Sequence, residues 1–282
     1  MNAMQTLDNE LMAVQREFSG RYAVYAEHLG TGETVSFGDV QTAWETASVM
    51  KLPILTEALR QCQEGVHALT EPVEYRRDDG VPGSGVLQYL TPGVTLPFKD
   101  VLTLMVIVSD NVATNMVLRT IGIEAVNQTC HDMGLMQTRV MRRIDFSSPD
   151  PLGLSSPFDL VQLLKSLYFN TVLDSRHAGI AVEILRHQQY QTLLTRYLPY
   201  DLLDDNDREI PIVTVASKSG SLTGIRNDAG LVISPWGDYA VAIMSEASKD
   251  RRFHVDTEAF QVLPRVSRAI FDYFIPEAER EL

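Results

Sequence analysis

Cysteine is scarce in this chain: Cys62 and Cys130 are the only two in 282 residues. A small fold stapled by several disulfides is therefore excluded. A single bridge between the two stays open from sequence, with two reduced, buried thiols the expected state. Basic residues are also few, 24 Lys and Arg against 37 Asp and Glu, for a net charge of −13. Nucleic-acid binding needs a basic footprint that this composition does not offer. No apolar run approaches the ~20 residues of a membrane span, so no membrane partner is expected. The six histidines form no His-x-His or His-Glu-x-x-His pattern, and neither a metal nor a cofactor is expected. A Gly-x-Ser-x-Gly elbow is missing, which argues against an α/β-hydrolase. Gly83-Ser84-Gly85 is not completed into a phosphate loop by a Lys-Ser/Thr, and reads as a flexible lip of a cleft. Cys130-His131-Asp132 places reactive side chains in a row, but adjacent residues on a helix point apart. The segment Met1–Glu10 lacks a basic stretch followed by an apolar one. A cytoplasmic location is the expectation as it stands, periplasmic or secreted if a leader precedes it.

What is present is enough apolar content, 45 %, to bury a full core. Leu7–Phe18 has helical spacing and is stopped by Gly20. Tyr22–Leu29 and Thr34–Phe37 read as a hairpin across Gly30-Thr31-Gly32. Helices are expected over Val49–Glu64, Phe98–Val108, Ala113–Ile121, Ala125–Met133, Pro157–Phe169 and Ala178–Tyr190. Asp228–Ser234 and Tyr239–Glu246 alternate like strands, and a helix over Phe260–Phe274 closes the chain. Strands at both ends and helices between them predict an α/β chain of the α+β type. One antiparallel sheet is flanked by helices and carries an all-helical lobe. The whole chain, 1–282, is expected as one domain, with a sheet lobe of 1–42 plus 205–282 and a helical lobe of 43–204.

Three polar triplets carry the chemistry. In Ser48-Val49-Met50-Lys51, residues three apart share a helix face, so hydroxyl and amine are within reach. A serine is a weak nucleophile until a base takes its proton. A lysine is that base only when burial or nearby positive charge lowers its pKa. Ser109-Asp110-Asn111 follows a very apolar stretch, and Lys218-Ser219-Gly220 offers positive charge and a clamp for an anionic substrate. Each has a bland alternative. Ser48 alone is more often a helix cap, Lys51 a snorkelling surface amine, and Asp110 the cap of the helix after it. Pro53 supports an early-helix position for Ser48, where its N–H helps to hold an oxyanion.

In this order, with separations of 61 and 109 positions, the triplets resemble those of the class A β-lactamases and their penicillin-binding relatives. The resemblance covers nearly the whole chain, from Arg21 to Phe274. It implies a metal-independent serine hydrolase with a cleft between sheet and helical lobe. Ser48 is then the nucleophile, Lys51 its proton acceptor and Ser109 a proton relay to the leaving nitrogen. Asn111 binds a substrate amide, and the N–H of Ser221 is the second oxyanion donor. Ser219 keeps the hydroxyl that bonds a substrate carboxylate, while Gly220 lets the substrate lie against the strand. Arg226 is either a second carboxylate anchor or an ordinary surface arginine.

One segment departs from the family. Class A enzymes carry a glutamate two residues after an arginine, followed by Leu-Asn, and it positions the water that cleaves the acyl-enzyme. Here Asp145 stands at that offset, 36 residues after Ser109, and no Leu-Asn follows. Asp145 is either a shortened base or a loop anchor paired with Arg142 or Arg143. Three readings follow: a hydrolase that opens β-lactam amides, a hydrolase of another amide or ester, or a penicillin-binding protein that deacylates slowly. In each the partner is a small molecule bearing a carboxylate; oligomeric state is left unassigned.

Overall fold

A computed structural model describes residues 3–203 and 211–280. The strands are β1 (Arg21–His28), β2 (Thr34–Phe37), β3 (Trp44–Glu45), β4 (Pro72–Glu74), β5 (Thr95–Pro97), β6 (Arg139–Val140), β7 (Gly153–Ser155), β8 (Thr214–Leu222), β9 (Ile225–Ile233) and β10 (Tyr239–Glu246). The helices are α1 (Ala3–Glu17), α2 (Lys51–Gln63), α3 (Phe98–Ile107), α4 (Asn111–Ile121), α5 (Ile123–Asp132), α6 (Pro157–Tyr168), α7 (Ser175–Arg186), α8 (Tyr200–Leu203), α9 (Glu258–Val262) and α10 (Pro264–Phe274). The large sheet is antiparallel in the order β2-β1-β10-β9-β8, so N- and C-terminal strands meet where β1 pairs with β10. This is the expected α+β architecture. The expected lobe boundary at 204–205 lies outside the described residues.

Alternation along the strands divides two cores. Ala240, Ala242 and Met244 of β10 join Ala216 and Leu231 in packing toward the central helices. Tyr239, Val241 and Ile243 face the other way, against Leu7, Leu11 and Val14 of α1 and Ile270 and Phe271 of α10. A strand covered on both faces needs no polar alternation, and Tyr239–Met244 of β10 is an unbroken apolar run where alternation was expected. Helix α2 is buried along nearly its whole length and runs through the helical part. A helix surrounded on all sides needs no polar face.

Element edges differ from expectation for local reasons. Helix α7 begins at Ser175 rather than Ala178 because the Asp174 side chain accepts from the His177 N–H. The closing helix is two helices, since Pro264 lacks the N–H that would continue α9 and instead starts α10. Helix α4 begins at Asn111, capped by Asp110 as its sequence position suggests. The two- and three-residue strands β3, β6 and β7 were not anticipated, being too short for an alternating pattern.

Candidate active site

Ser48 lies in a single 3₁₀ turn, Ala47–Met50, directly before α2. Its predecessor Ala47 has φ +48°, a left-handed conformation unusual for a residue with a Cβ. Strand β8 runs against this turn. A Cβ on Gly220 would lie 2.7 Å from the Thr46 carbonyl oxygen and 2.9 Å from the backbone nitrogens of Ser48 and Val49. The absent side chain at Gly220 therefore makes room for the turn carrying Ser48. Asn227 of β9 steadies the approach, its amide donating to the Glu45 carbonyl at 2.9 Å and accepting from the Ser245 N–H.

Lys51 opens α2 and has no exposed surface. Its Nζ donates to the Ser109 carbonyl at 2.7 Å, to Ser109 Oγ at 3.0 Å and to Asn111 Oδ1 at 3.0 Å. Those three bonds use all the donors of an ammonium. Ser48 Oγ is not among the partners, so the amine expected to meet Ser48 is turned toward the Ser109–Asn111 segment. Burial holds its pKa well below the ordinary lysine value, and the nearby Lys218 cation lowers it further.

Ser109 also has a left-handed backbone, φ +52°. Asp110 explains how this segment is held. Its Oδ1 accepts from the Ala113 N–H at 2.9 Å, and Oδ2 from the N–H groups of Val86 and Leu87 at 2.6 and 2.8 Å. One buried carboxylate thus caps α4 and fixes the Gly-Ser-Gly lip. The lip returns the contact, for Ser84 O accepts from the Asn111 N–H at 3.0 Å and Pro82 O from Asn111 Nδ2 at 3.2 Å.

Lys218 and Ser219 sit on the edge strand β8. Lys218 is fully buried, and its Nζ donates to the Ser219 carbonyl at 2.7 Å. Burial lowers its pKa to about 7, while Asp228 pulls the other way. Asp228 pairs in register with Ser219 and is itself buried, which raises its pKa to about 7. Its Oδ2 accepts from the Leu194 N–H at 3.2 Å.

Arg226 is no surface arginine: only 2 % of it is exposed. Its Nη1 donates to the carbonyls of Leu222 and Ile225, and its Nη2 to that of Arg252 at 2.5 Å. The guanidinium stacks against Phe253 and Phe260, with ring centroids at 4.9 and 5.2 Å.

Ser48, Ser109, Ser219, Gly220, Ser221 and Arg226 line one cavity of about 350 Å³, with Ser84, Tyr190, Thr192, Phe253, His254, Val255 and Phe260 completing it. Among the described residues, no carboxylate is in this lining. Lys51, Asn111 and Lys218 lie in its walls as buried groups bonded to lining residues or their neighbours. Asp145 is elsewhere. Its exposed carboxylate accepts from the N–H and hydroxyl of Ser147, both at 2.8 Å, and these bonds lower its pKa. It lines a separate pocket with Asp78, Pro82, Asn115 and Phe146. The arginines beside it hold other groups. Arg142 binds the carbonyls of Asp145, Ser148 and Asp150, and Arg143 pairs with the buried Asp79 at 2.7 Å.

Sequence reasoning passed over Asn115, whose amide accepts from the Ile144 N–H at 2.8 Å and donates to Ile144 O and Asp79 O. Its place four residues after Asn111, on the same helix face, was the available signal. Phe253 and Tyr190 gave no such signal, since nothing local ties them to Ser48. Among the described residues, no group of three or more His, Cys, Asp or Glu side chains is placed to hold a metal ion. None of the described helices is long and apolar enough to cross a membrane.

Known proteins resemble this chain over nearly its whole length. A β-lactamase of Rhodobacter capsulatus is 24 % identical over 272 residues, covering 95 % of this chain and 89 % of that one. A β-lactamase structure from Sphaerobacter thermophilus superposes with a TM-score of 0.84 at 26 % identity, covering 95 % and 96 % of the two chains. PBP-A superposes with a TM-score of 0.80 at 27 % identity, covering 94 % and 96 %. A mutant PBP-A, captured as an acyl-enzyme complex with penicillin G, gives 0.82 at 26 % identity over 96 % of each chain. The TLA-1 extended-spectrum β-lactamase, 17 % identical with a TM-score of 0.83 over 97 % and 100 % of the chains, shows the shared fold. The family model of the β-lactamase enzyme family matches residues 5–274, and this chain is a member of that family of serine hydrolases.

Proposed function

We propose that this protein opens β-lactam amides through an acyl-enzyme on Ser48. One observation carries the reading: a fully buried Lys51, its pKa held well below the ordinary lysine value by burial, is bonded to Ser109 and Asn111 beside the cavity that holds Ser48. Lys51, when neutral, accepts the Ser48 proton as Oγ attacks the amide carbon. The same lysine donates to Ser109 Oγ, and Ser109 passes a proton to the departing nitrogen. The N–H groups of Ser48 and Ser221 receive the oxyanion. Lys218, Ser219 and Arg226 supply positive potential and a hydroxyl for a substrate carboxylate, and Asn111 contacts the acyl side. The substrate is a small molecule with one carboxylate.

A second reading concerns the next step. Asp145 lines a different pocket and its carboxylate is spent on Ser147. With no carboxylate among the described residues that line the Ser48 cavity, water attack on the acyl-enzyme lacks an evident base there. This favours slow deacylation, the behaviour of a penicillin-binding protein, over efficient turnover.

Mass spectrometry of the protein with penicillin G, followed over time, separates the outcomes. A penicilloyl adduct on Ser48 is expected, with Lys51→Met slowing its formation by about 10²–10⁴-fold. A chromogenic cephalosporin should give a burst and then a slow steady state. An adduct on Ser109, or a Lys51→Met protein that acylates normally, overturns the assignment. Fast steady turnover that Asp145→Asn abolishes overturns the second reading.

A further inference from the structure

Phe253 is 67 % exposed, yet it sits on a segment that is firmly held. The Arg252 carbonyl accepts from Arg226 Nη2 at 2.5 Å. Asp250 accepts from Arg252 Nε at 2.8 Å and from the Glu258 N–H at 3.0 Å. The ring stacks against the Arg226 guanidinium, as does that of Phe260. With Val255 and Phe260 beside it in the same lining, the exposed ring forms part of an apolar patch, and such patches mark contact surfaces. Here that surface opens into the cavity of Ser48, next to the half-exposed Val255.

We infer that Phe253 is a specificity-determining residue, selecting substrates whose leaving half carries a flat apolar group beside its carboxylate. The inference rests on the Ser48 reading. There the carboxylate of the leaving half lies against Ser219 and Arg226, so whatever flanks it meets Phe253 and Val255. Among the described residues, His254 is the other titratable group of that wall, and no carboxylate lines it to receive a cationic substituent.

Two esters with the same acyl group isolate the effect: N-phenylacetylglycine esterified to mandelic acid, in both enantiomers, or to glycolic acid. Ser48 Oγ displaces the hydroxy acid, which leaves with a proton, and water later releases phenylacetylglycine. Both esters give one acyl-enzyme, so any difference between them arises in acylation, on the leaving side.

The wild-type protein should prefer one mandelate ester by about 10-fold in kcat/KM, a ratio in keeping with one aromatic contact. Phe253→Ala should bring the ratio within about 2-fold, through loss on the mandelate ester, with an unchanged melting temperature. Phe253→Leu should give an intermediate ratio. No preference in the wild type, a ratio unchanged by Phe253→Ala, or equal losses on both esters overturns the inference alone. If neither ester nor penicillin G acylates Ser48, the reading of the site falls and the inference with it.

Discussion

Two buried lysines set the residue-scale chemistry, and their charges work against each other. In the proposed mechanism Lys51 must be neutral to accept a proton, whereas Lys218 must be cationic to attract a carboxylate. Lys218 has its pKa lowered from 10.5 to about 7 by burial. Between those values the folded protein has released a proton that the unfolded chain keeps, so this group makes stability rise with pH across that window. Asp228, raised from 3.8 to about 7, does the reverse between 3.8 and 7, because the folded state there holds the extra proton. The functional consequence is testable. For a carboxylate-bearing substrate, kcat/KM should fall as pH rises through about 7, while a neutral ester of the same acyl group should lack that alkaline limb. Both should share an acid limb from Lys51. A common alkaline limb would mean that Lys218 serves the proton transfers and not the carboxylate.

At the scale of elements, α4 is the keel of the site. Its first turn carries Asn111, its cap Asp110 holds the lip at Val86 and Leu87, and Asn115 one turn on pins the Asp145 loop at Ile144. Asp79 adds a buried carboxylate shared by Arg119 of α4 and Arg143 of the loop. Replacing Asp110 therefore removes more than a cap, since two further N–H groups lose their acceptor. A cap alone is worth about 1 kcal/mol and each buried unpaired donor about 1–3 kcal/mol. Asp110→Ala should lower Tm by roughly 5–15 °C and slow acylation of Ser48 by a β-lactam. Differential scanning calorimetry beside stopped-flow acylation measures both. A shift below about 2 °C would show that the lip is held by other contacts.

The whole molecule separates stability from chemistry by placing the sheet between two cores. Leu11 of α1 is buried in the outer core, across the sheet from Ser48. Leu11→Ala should cost about 2–5 kcal/mol in urea unfolding, from lost transfer energy plus a cavity. The acylation rate per folded molecule should stay within about 2-fold of wild type. A larger change would mean that the outer layer transmits its packing through β8 to the nucleophile turn. The same layering made much of the fold legible: apolar patterning located α1, the β1–β2 hairpin, β9, β10 and most helices. The short strands and the break at Pro264 escaped, because two-residue pairings have no periodicity and a proline inside an apolar pattern does not say which side of it the helix continues.

Sequence alone determined the family-scale chemistry of this protein, because Ser48, Lys51, Ser109, Asn111 and Lys218 are identities that local spacing already groups into three motifs. Where each group points was decided only by tertiary structure. The spacing of Ser48 and Lys51 permits a hydrogen bond, but burial leaves Lys51 to satisfy its three donors on Ser109 and Asn111, which come from across the helical core. Gly220 looked like room for substrate and is also room for the turn that carries Ser48. Asp145 stands at a glutamate's offset, yet its loop is anchored through Asn115 and Asp79 so that its carboxylate turns to Ser147. Arg226 and Phe253 meet only because β9 and the segment before α9 converge on the mouth of the cleft. Offsets along a chain carry residue identity and periodicity; the direction of a side chain is set by which distant backbone groups must be satisfied once water is excluded.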